Sequence, residues 1–327
     1  MKAIVQYRYG AADVLQVKEL DKPTPNKNQI LVKIIASSVT AADVMMRQGS
    51  PKFGRLFIGL LRPKSPGLGT GFSGTIESVG NDVSRFNVGD DVFGEVLFGA
   101  GTNAEYVCVE QNELVFAKPN NISHSQAASL GDGALTSMNF LSKVANVGVG
   151  DSVLINGASG SLGTAAVQIA ACRGAHVTAM CSAANTALVR SLGADQVLDY
   201  RSDSLPSELE QYDVIYDTVG KLSYQEYKPF LTQSGVFVSP VLSLKLLADV
   251  LVSSLIGRKK AKFSATGMLR VTELRSLYEN VKQMVVQGHL SQVMDREFDL
   301  VRIADAHRYV ETGRKKGNLA LLNGAAS

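Results

Sequence analysis

Apolar and polar positions alternate with a period of two along the first part of the chain and gather into short apolar runs further on. Up to about residue 122 the alternation, broken by turn residues, predicts mostly β-structure. Residues 2–6 and 15–20 read as a hairpin around Gly10, and 29–35 as a strand. A short helix is expected over 42–48, ended by Gly49. Strands follow at 75–79, after the turn 88–94, at 104–109 and at 115–118. A helix then starts over 122–130, with Ser123 as its cap and Gln126 three residues on, and a second covers 135–147. Beyond it the apolar runs 153–155, 175–180, 196–199, 213–217 and 235–239 have the length of buried strands. Helix-like segments separate them, which predicts a parallel, doubly wound sheet. A stripe of Leu274, Leu277, Val281, Met284 and Val285 marks a helix over 271–287. A strand at 293–298, a helix at 303–312 and a strand at 319–322 finish the chain.

Two stretches depart from this pattern. Residues 51–66 form a loop carrying Phe53, Leu56, Phe57, Ile58, Leu60 and Leu61. Such a loop either lids a pocket, offers a contact surface, or tucks into the core. Residues 241–256 are apolar but interrupted by Lys245 and Asp249, and too short to span a bilayer comfortably; a buried or interface helix is expected ahead of membrane contact.

The run 153–170 is the most informative. Gly157, Gly160 and Gly163 recur at a spacing of three between a strand and a helix whose apolar face holds Leu162, Ala166, Ile169 and Ala170. Glycines let a backbone turn sharply and approach an anion closely, and a helix start presents free amides and the positive end of its dipole. Gly160 and the amides of Ser161 and Leu162 are the first candidates for a phosphate contact. The next strand ends at Cys181-Ser182, where a dinucleotide fold meets the adenosine ribose.

Composition narrows the picture. A length of 327 residues predicts two domains, and 45% apolar residues a globular protein. The net charge of +3 is spread along the chain and implies no nucleic-acid partner. Three separated cysteines, Cys108, Cys172 and Cys181, argue against a disulfide framework and suit a reducing, cytoplasmic compartment. No CxxC pair exists for a cysteine zinc lobe, and no signal peptide or membrane span is read.

Several short pieces together resemble the medium-chain dehydrogenase/reductase superfamily, in its zinc-free, quinone-oxidoreductase-like branch. They are Lys2-Ala3-Ile4, Asp43 within 37–49, the glycines of 69–74 with Val79-Gly80, Val88-Gly89-Asp90-Asp91-Val92, Ala104-Glu105-Tyr106, the glycine motif, Leu192-Gly193-Ala194-Asp195, Asp199-Tyr200 and 213–220. The resemblance implies an α/β fold with a Rossmann sheet inserted into a mostly β, GroES-like catalytic domain. The catalytic domain would comprise 1–122 and 267–327, the dinucleotide-binding domain 123–266, with nicotinamide and substrate in the cleft between them. It implies a homodimer and, as site residues, Thr40 and Asp43 for catalysis. Thr136, Gly157, Ser159, Gly160, Ser161, Leu162, Gly163, Ser182, Asn185, Tyr200, Val219 and Ser239 would hold the cofactor. Tyr7, Phe53 and Phe57 line the pocket or pack in the core.

Zinc-dependent relatives carry a cysteine three residues before the aspartate that matches Asp43, and a His-Glu pair where Thr70-Gly71 stands. Here the first place is Thr40, and Asp132 near the third ligand position stands alone, so no metal is expected. The four histidines are read as caps or surface groups. Without a Lewis acid, hydride donation to an electron-poor quinone or α,β-unsaturated carbonyl is the easiest chemistry. The absence of an acid over 181–185 favours NADPH, although no Lys or Arg stands at Ala184 or Asn185. The alternatives are an NAD(P)-dependent alcohol or carbonyl oxidoreductase and a non-catalytic NADPH-sensing or RNA-contacting protein.

Overall fold

The computed structural model describes residues 1–97, 101–202 and 205–324, without the side chains of Phe53, Phe57, Leu205 and Pro206. The chain divides into two compact units, 1–132 with 292–327 and 133–291. Both boundaries lie later than the expected 122 and 266. The helix Val271–Val286 belongs to the second unit because it packs on Thr136–Asn139 and its Glu273 accepts from Lys143 at 2.8 Å.

The first unit opens with β1 (Lys2–Val5) and β2 (Gln16–Glu19), the expected antiparallel pair. Next come β3 (Gln29–Val39), β4 (Gly71–Val79), β5 (Asp91–Glu95), β6 (Tyr106–Glu110) and β7 (Leu114–Ala117). The long β3 organises the sheet. One edge pairs with β4; the other pairs with β6 along its first half and with the C-terminal strand along its second. Ile30, Val32, Ile34, Phe72, Ile76, Val92, Val107, Val109 and Val115 form its buried core. The short helix is present at Ala41–Gln48, and Gly49 ends it with φ 61°, the left-handed geometry that glycine adopts freely. Ser123 and Gln126 make the expected capping box on His124–Ala128. Within 51–66, Leu56, Leu60 and Leu61 are exposed, so these side chains do not tuck into the core. Phe53 and Phe57, expected at the pocket or in the core, lie outside the described side chains.

The second unit holds β8 (Ser152–Asn156), β9 (His176–Cys181), β10 (Gln196–Asp199), β11 (Tyr212–Asp217), β12 (Leu231–Val238) and β13 (Lys260–Lys262). All pair in parallel, in the order β10-β9-β8-β11-β12-β13. Numbered within the unit this is 3-2-1-4-5-6, the doubly wound order, with its switch point between β8 and β11. Parallel strands covered on both faces read as unbroken apolar runs, which is why five of the six were legible. The sixth, β13, is short and polar at both ends and was not. Of the two expectations for 241–256, a buried or an interface helix, full burial does not hold for the helix Leu244–Leu255: Leu244, Leu251 and Leu255 face solvent. The chain then returns to the first unit, where β14 (Met294–Asp299) and β15 (Asn318–Leu322) flank the helix Ile303–Glu311. β15 adds antiparallel to β3, and β14 parallel to β15.

Candidate functional site

In the second unit the predicted cofactor residues gather at the carboxyl ends of the parallel strands. Val153, Leu154 and Ile155 are fully buried, so β8 is held rigidly up to Asn156. Gly157 then turns at φ 74°. A Cβ there would strike a methyl of Val219 and lie 2.6 Å from Thr218 Oγ1. Gly160 caps the helix Ser161–Cys172 without any side-chain hydrogen bond. The Gly160 amide donates to the Gly157 carbonyl at 2.9 Å, and the first intrahelical bond runs from Thr164 N to Gly160 O at 2.9 Å. The amides of Leu162 and Gly163 therefore precede the intrahelical ladder and aim out of the helix start. A Cβ on Gly163 would strike the Gly157 carbonyl oxygen and lie 2.5 Å from Ala158 Cα. This glycine lets the helix sit directly on the turn.

Asp217, buried at the end of β11, fixes the facing loop. Its Oδ1 accepts from Asn156 Nδ2 at 2.8 Å and from the amides of Val219 and Gly220 at 3.1 Å. Val219 is thereby held against Gly157 across the switch point. Thr136 stands in a helical run that packs on the glycine helix: Ser137 Oγ donates to the Leu162 carbonyl at 2.9 Å. Ser239 follows β12 and lines a small cavity with Asp217, Gly220 and Val241.

Three predicted residues meet beyond β9. Asn185 Nδ2 donates to Ser159 Oγ at 2.9 Å and to Ser182 Oγ at 3.3 Å, while its buried Oδ1 has no protein partner. Tyr200, half exposed, donates its amide to the Cys181 carbonyl at 3.3 Å, and the Arg201 guanidinium lies 5.3 Å from its ring centre. The loop itself carries no acid, but Asp199 is brought beside it: its Oδ2 accepts from Ala183 N at 3.2 Å. An acid at this turn was not foreseen, because it comes from the neighbouring strand.

Thr40 and Asp43 lie in the first unit. Thr40 is the N-cap of Ala41–Gln48: its Oγ1 accepts from Asp43 N at 3.1 Å and donates to Asp43 Oδ2 at 2.7 Å, and its own amide donates to Oδ2 at 2.8 Å. The one hydroxyl proton of Thr40 is engaged, so Thr40 in this arrangement has none to offer a substrate oxygen. Asp43 is fully buried with Oδ1 unpartnered. Burial, opposed by the Thr40 hydrogen bonds, pushes its carboxyl up to about 6. Glu95, at the end of β5, is pushed up to about 7 by burial and then by Asp132, against a hydrogen bond from Thr70. Burial raises Asp132 as well, with Lys315 opposing, and lowers Lys315. Thr40, Asp43, Thr70, Glu95, Asp132 and Lys315 thus form one polar group. Glu95 and Lys315 were not foreseen, being joined only by the fold.

Among the described residues no group of three or more His, Cys, Asp or Glu is placed to hold a metal. At Gly71 no ligand side chain fits, since a Cβ would strike the Ala128 carbonyl and lie 2.5 Å from Ser38 Oγ. His307 is fully buried rather than a surface group; burial and then Arg47 lower it to about 3.

Residues 26–120 match the alcohol dehydrogenase GroES-like domain family, and 192–321 the zinc-binding dehydrogenase family. The human NAD(P)H oxidoreductase RTN4IP1, mitochondrial, is 32% identical over 98% of this chain and 89% of its own. The chain belongs to the quinone-oxidoreductase-like branch of the medium-chain dehydrogenase/reductase superfamily. It is an oxidoreductase of that family. A spinach chloroplastic quinone-oxidoreductase homologue is 30% identical over 98% of both chains. The solved quinone oxidoreductase of Coxiella burnetii superposes with a TM-score of 0.85 at 30% identity, covering 99% of each chain. The CurK enoyl reductase gives 0.87 at 25% identity over 98% of each. No helix among the described residues is long and apolar enough to cross a membrane.

Proposed function

We propose that this oxidoreductase uses NADPH to reduce quinones or α,β-unsaturated carbonyls, without a catalytic zinc. One observation carries the reading: a helix start free of side-chain caps, packed on Gly157 and Gly163 at the switch point of a parallel sheet. The NAD(P)H oxidoreductase and quinone-oxidoreductase relatives support a nicotinamide cofactor. When bound, it supplies the reducing electron pair.

The chain's own residues do the rest. The amides of Leu162 and Gly163, with Gly160 and Ser161, bind the pyrophosphate. Ser159, Ser182 and Asn185 bind the ribose end, where the unpartnered Asn185 Oδ1 accepts a hydroxyl, and Tyr200 flanks the adenine. Thr136, Val219 and Ser239 border the nicotinamide end. With the Thr40 proton held by Asp43, this pair acts as a positioning element of the polar group. Glu95 and Asp43, poised near neutrality by burial, are the groups able to hold a proton there. A hydroxyl engaged elsewhere at Thr40 and a side chain excluded at Gly71 do not fit a zinc ligand set. The free Cys108, Cys172 and Cys181 suit a reducing compartment, and we keep the cytoplasm and a homodimer as part of the proposal.

The test is NADPH oxidation followed at 340 nm with a panel of small quinones and enals, before and after dialysis against a chelator. Turnover that survives the chelator is expected. Tight NADPH binding with no turnover across the panel would assign the chain to the sensing alternative. Activity lost to chelator and restored by zinc would overturn the metal-free reading.

A further inference from the structure

Four adjacent strands of the first unit begin or finish at one end of their sheet, and each places a residue of the polar group there. β3 ends at Val39, directly before Thr40, which caps the helix that carries Asp43. β4 begins at Gly71, directly after Thr70. β5 ends at Glu95, which the register sets opposite Gly71. β15 begins at Asn318, three residues after Lys315, and its Leu319 pairs with Val39. Antiparallel pairing in the order β15-β3-β4-β5 thus gathers residues that lie far apart in the chain.

Lys315 is held at this end by its own turn. Asp295 Oδ2 accepts from the Lys316 amide and from the Tyr309 hydroxyl, both at 2.9 Å. Lys315 Nζ donates to the Gly317 carbonyl at 2.5 Å. Gly317 turns at φ 68°, and a Cβ there would strike the Val293 carbonyl, so the carbonyl that receives the ammonium is fixed in place. The segment before Asp132 is tied to the same turn. Gln292 Nε2 donates to the Ser129 carbonyl at 3.2 Å, and Gln292 Oε1 accepts from Asn318 Nδ2 at 2.9 Å.

The group therefore brings the carboxyls of Asp43, Glu95 and Asp132 together with one ammonium. Buried carboxyls that repel one another do not all ionise, and their neighbours decide which of them keeps a proton. Lys315 favours the ionised form of Asp132. Asp132, once ionised, opposes ionisation of both Glu95 and Asp43. The charges that face Lys315 in return are Asp132 and, from β14, Asp295. We propose that Lys315 is a positioning residue of this group: its ammonium holds the charge of the group on Asp132, and the proton is thereby kept on Glu95 and Asp43. Its part in turnover rests on the NADPH-dependent reduction proposed above, whereas the placement of the proton does not.

Carbon-13 NMR of labelled Asp and Glu carboxyls in the full chain, assigned with Glu95→Gln, tests the placement without cofactor or substrate. In the wild type Glu95 should titrate at about 7. Lys315→Met should move that midpoint down by about one unit as Asp132 takes up the proton, and Lys315→Arg should keep it where it was. Asp132→Asn should lower the Glu95 midpoint by itself, and adding Lys315→Met to it should change little more. A Glu95 midpoint that stays or rises in Lys315→Met would overturn the proposal. So would a midpoint unmoved by Asp132→Asn, a test that stands even if Lys315→Met does not fold, or equal shifts from Lys315→Met with and without Asp132. In quinone reduction by NADPH, the fall of kcat/KM with rising pH should follow the Glu95 midpoint from variant to variant. Turnover whose pH profile is the same in the wild type, Lys315→Arg and Lys315→Met would overturn the part in turnover. Absence of turnover in all of them would count against the proposed function, and the carboxyl titrations would still decide where the proton sits.

Discussion

Gly163→Ala and Gly160→Ala separate the two tasks of the glycine turn, packing and anion binding. At Gly163 an added Cβ strikes the Gly157 carbonyl oxygen and lies 2.5 Å from Ala158 Cα and 2.7 Å from Ala158 C. All three are backbone atoms of a turn anchored by bonds from Gly157 N and Ala158 N to the Met180 carbonyl at 3.0 and 3.1 Å. Ordinary contact begins near 3.4 Å, so the helix must lift by about 1 Å. Overpacking of this kind costs about 1–3 kcal/mol, and a rigid neighbour puts the cost at the upper end. Alanine's better helix propensity returns about 1 kcal/mol. The net loss of about 2 kcal/mol lowers Tm by roughly 4–8 °C for a unit of this size. Displaced amides also lose a charge-assisted hydrogen bond to the pyrophosphate, about 1.5–3 kcal/mol, or about 10- to 100-fold in Kd. At Gly160 the added Cβ meets only the Gly157 carbonyl oxygen, at 3.4 Å, and its φ of −82° suits any residue. The N-cap change costs less than about 1 kcal/mol, while the methyl enters the space before the helix start. Scanning calorimetry and NADPH fluorescence titration read both effects. Gly163→Ala should lose stability and affinity together, and Gly160→Ala affinity with little change in Tm. Wild-type NADPH affinity in Gly160→Ala would refute the assignment of the helix start as the pyrophosphate site.

Three further outcomes follow from the geometry. Asp43 and Glu95 hold their protons to about 6 and about 7 in the folded state, above the unfolded values of 3.8 and 4.5. Their contribution to stability is therefore complete at low pH and lost as the pH rises through about 6 and 7. Glu95→Gln should flatten the fall in urea-derived stability between pH 4.5 and 7 by at most about 3 kcal/mol, less for its partial exposure. The wild-type-minus-variant difference isolates it from His307, whose lowered value destabilises as the pH drops below 6.5; an unchanged difference would mean that Glu95 is not buried by its neighbours. Asp199→Asn should raise the NADPH-to-NADH ratio of kcat/KM about 3- to 10-fold by removing a charge beside the proposed 2′-phosphate site, and steady-state kinetics with both cofactors decides it. Thr40→Ala removes the cap of Ala41–Gln48 and the hydroxyl donor to buried Asp43, costing about 1–2 kcal/mol by thermal denaturation, whereas Thr40→Ser should cost a few tenths.

The parallel sheet was legible because its central strands bury both faces, so that Val153–Ile155 and the runs after it carry no polar interruption. The capping box at Ser123 was legible because its logic is local. The box at Thr40 is equally local, with a spacing of three to Asp43, but the family position draws attention to the hydroxyl and away from that spacing. Lys260–Lys262 hides a strand because it has one buried residue and lysines that reach carbonyls elsewhere. The helix at 244–255 was legible as a helix but not in its facing. An apolar segment broken by one Lys and one Asp suggests burial or an interface, yet the residues that face inward include Asp249 and Ser253, because Gln225 and the Ala261 amide are there to satisfy them. Hydropathy counts the leucines but does not say which side of the helix finds hydrogen-bond partners.

Cofactor choice shows the same limit at finer scale. An acid at the end of the second strand of the sheet binds a ribose diol, and its absence over 181–185 argued for a phosphate there. The register of β10 on β9 pairs Asp199 with Cys181, so the end of the third strand lies level with the end of the second. A carboxylate one strand away thus reaches the very turn from which it is missing in sequence. It does not act as a free charge: its two oxygens accept from the amides of Ala183 and Arg201, at 3.2 and 2.9 Å. Asp199 therefore shapes the turn and, in the proposed site, would temper a preference for a phosphate, while Arg201, two residues on with its guanidinium 5.3 Å from the Tyr200 ring centre, would supply the opposing charge. In the proposed site this balance would set the preference between the two nicotinamide cofactors, so that Asp199→Asn is expected to move it, whereas a change at Ala184 alone leaves the carboxylate in place.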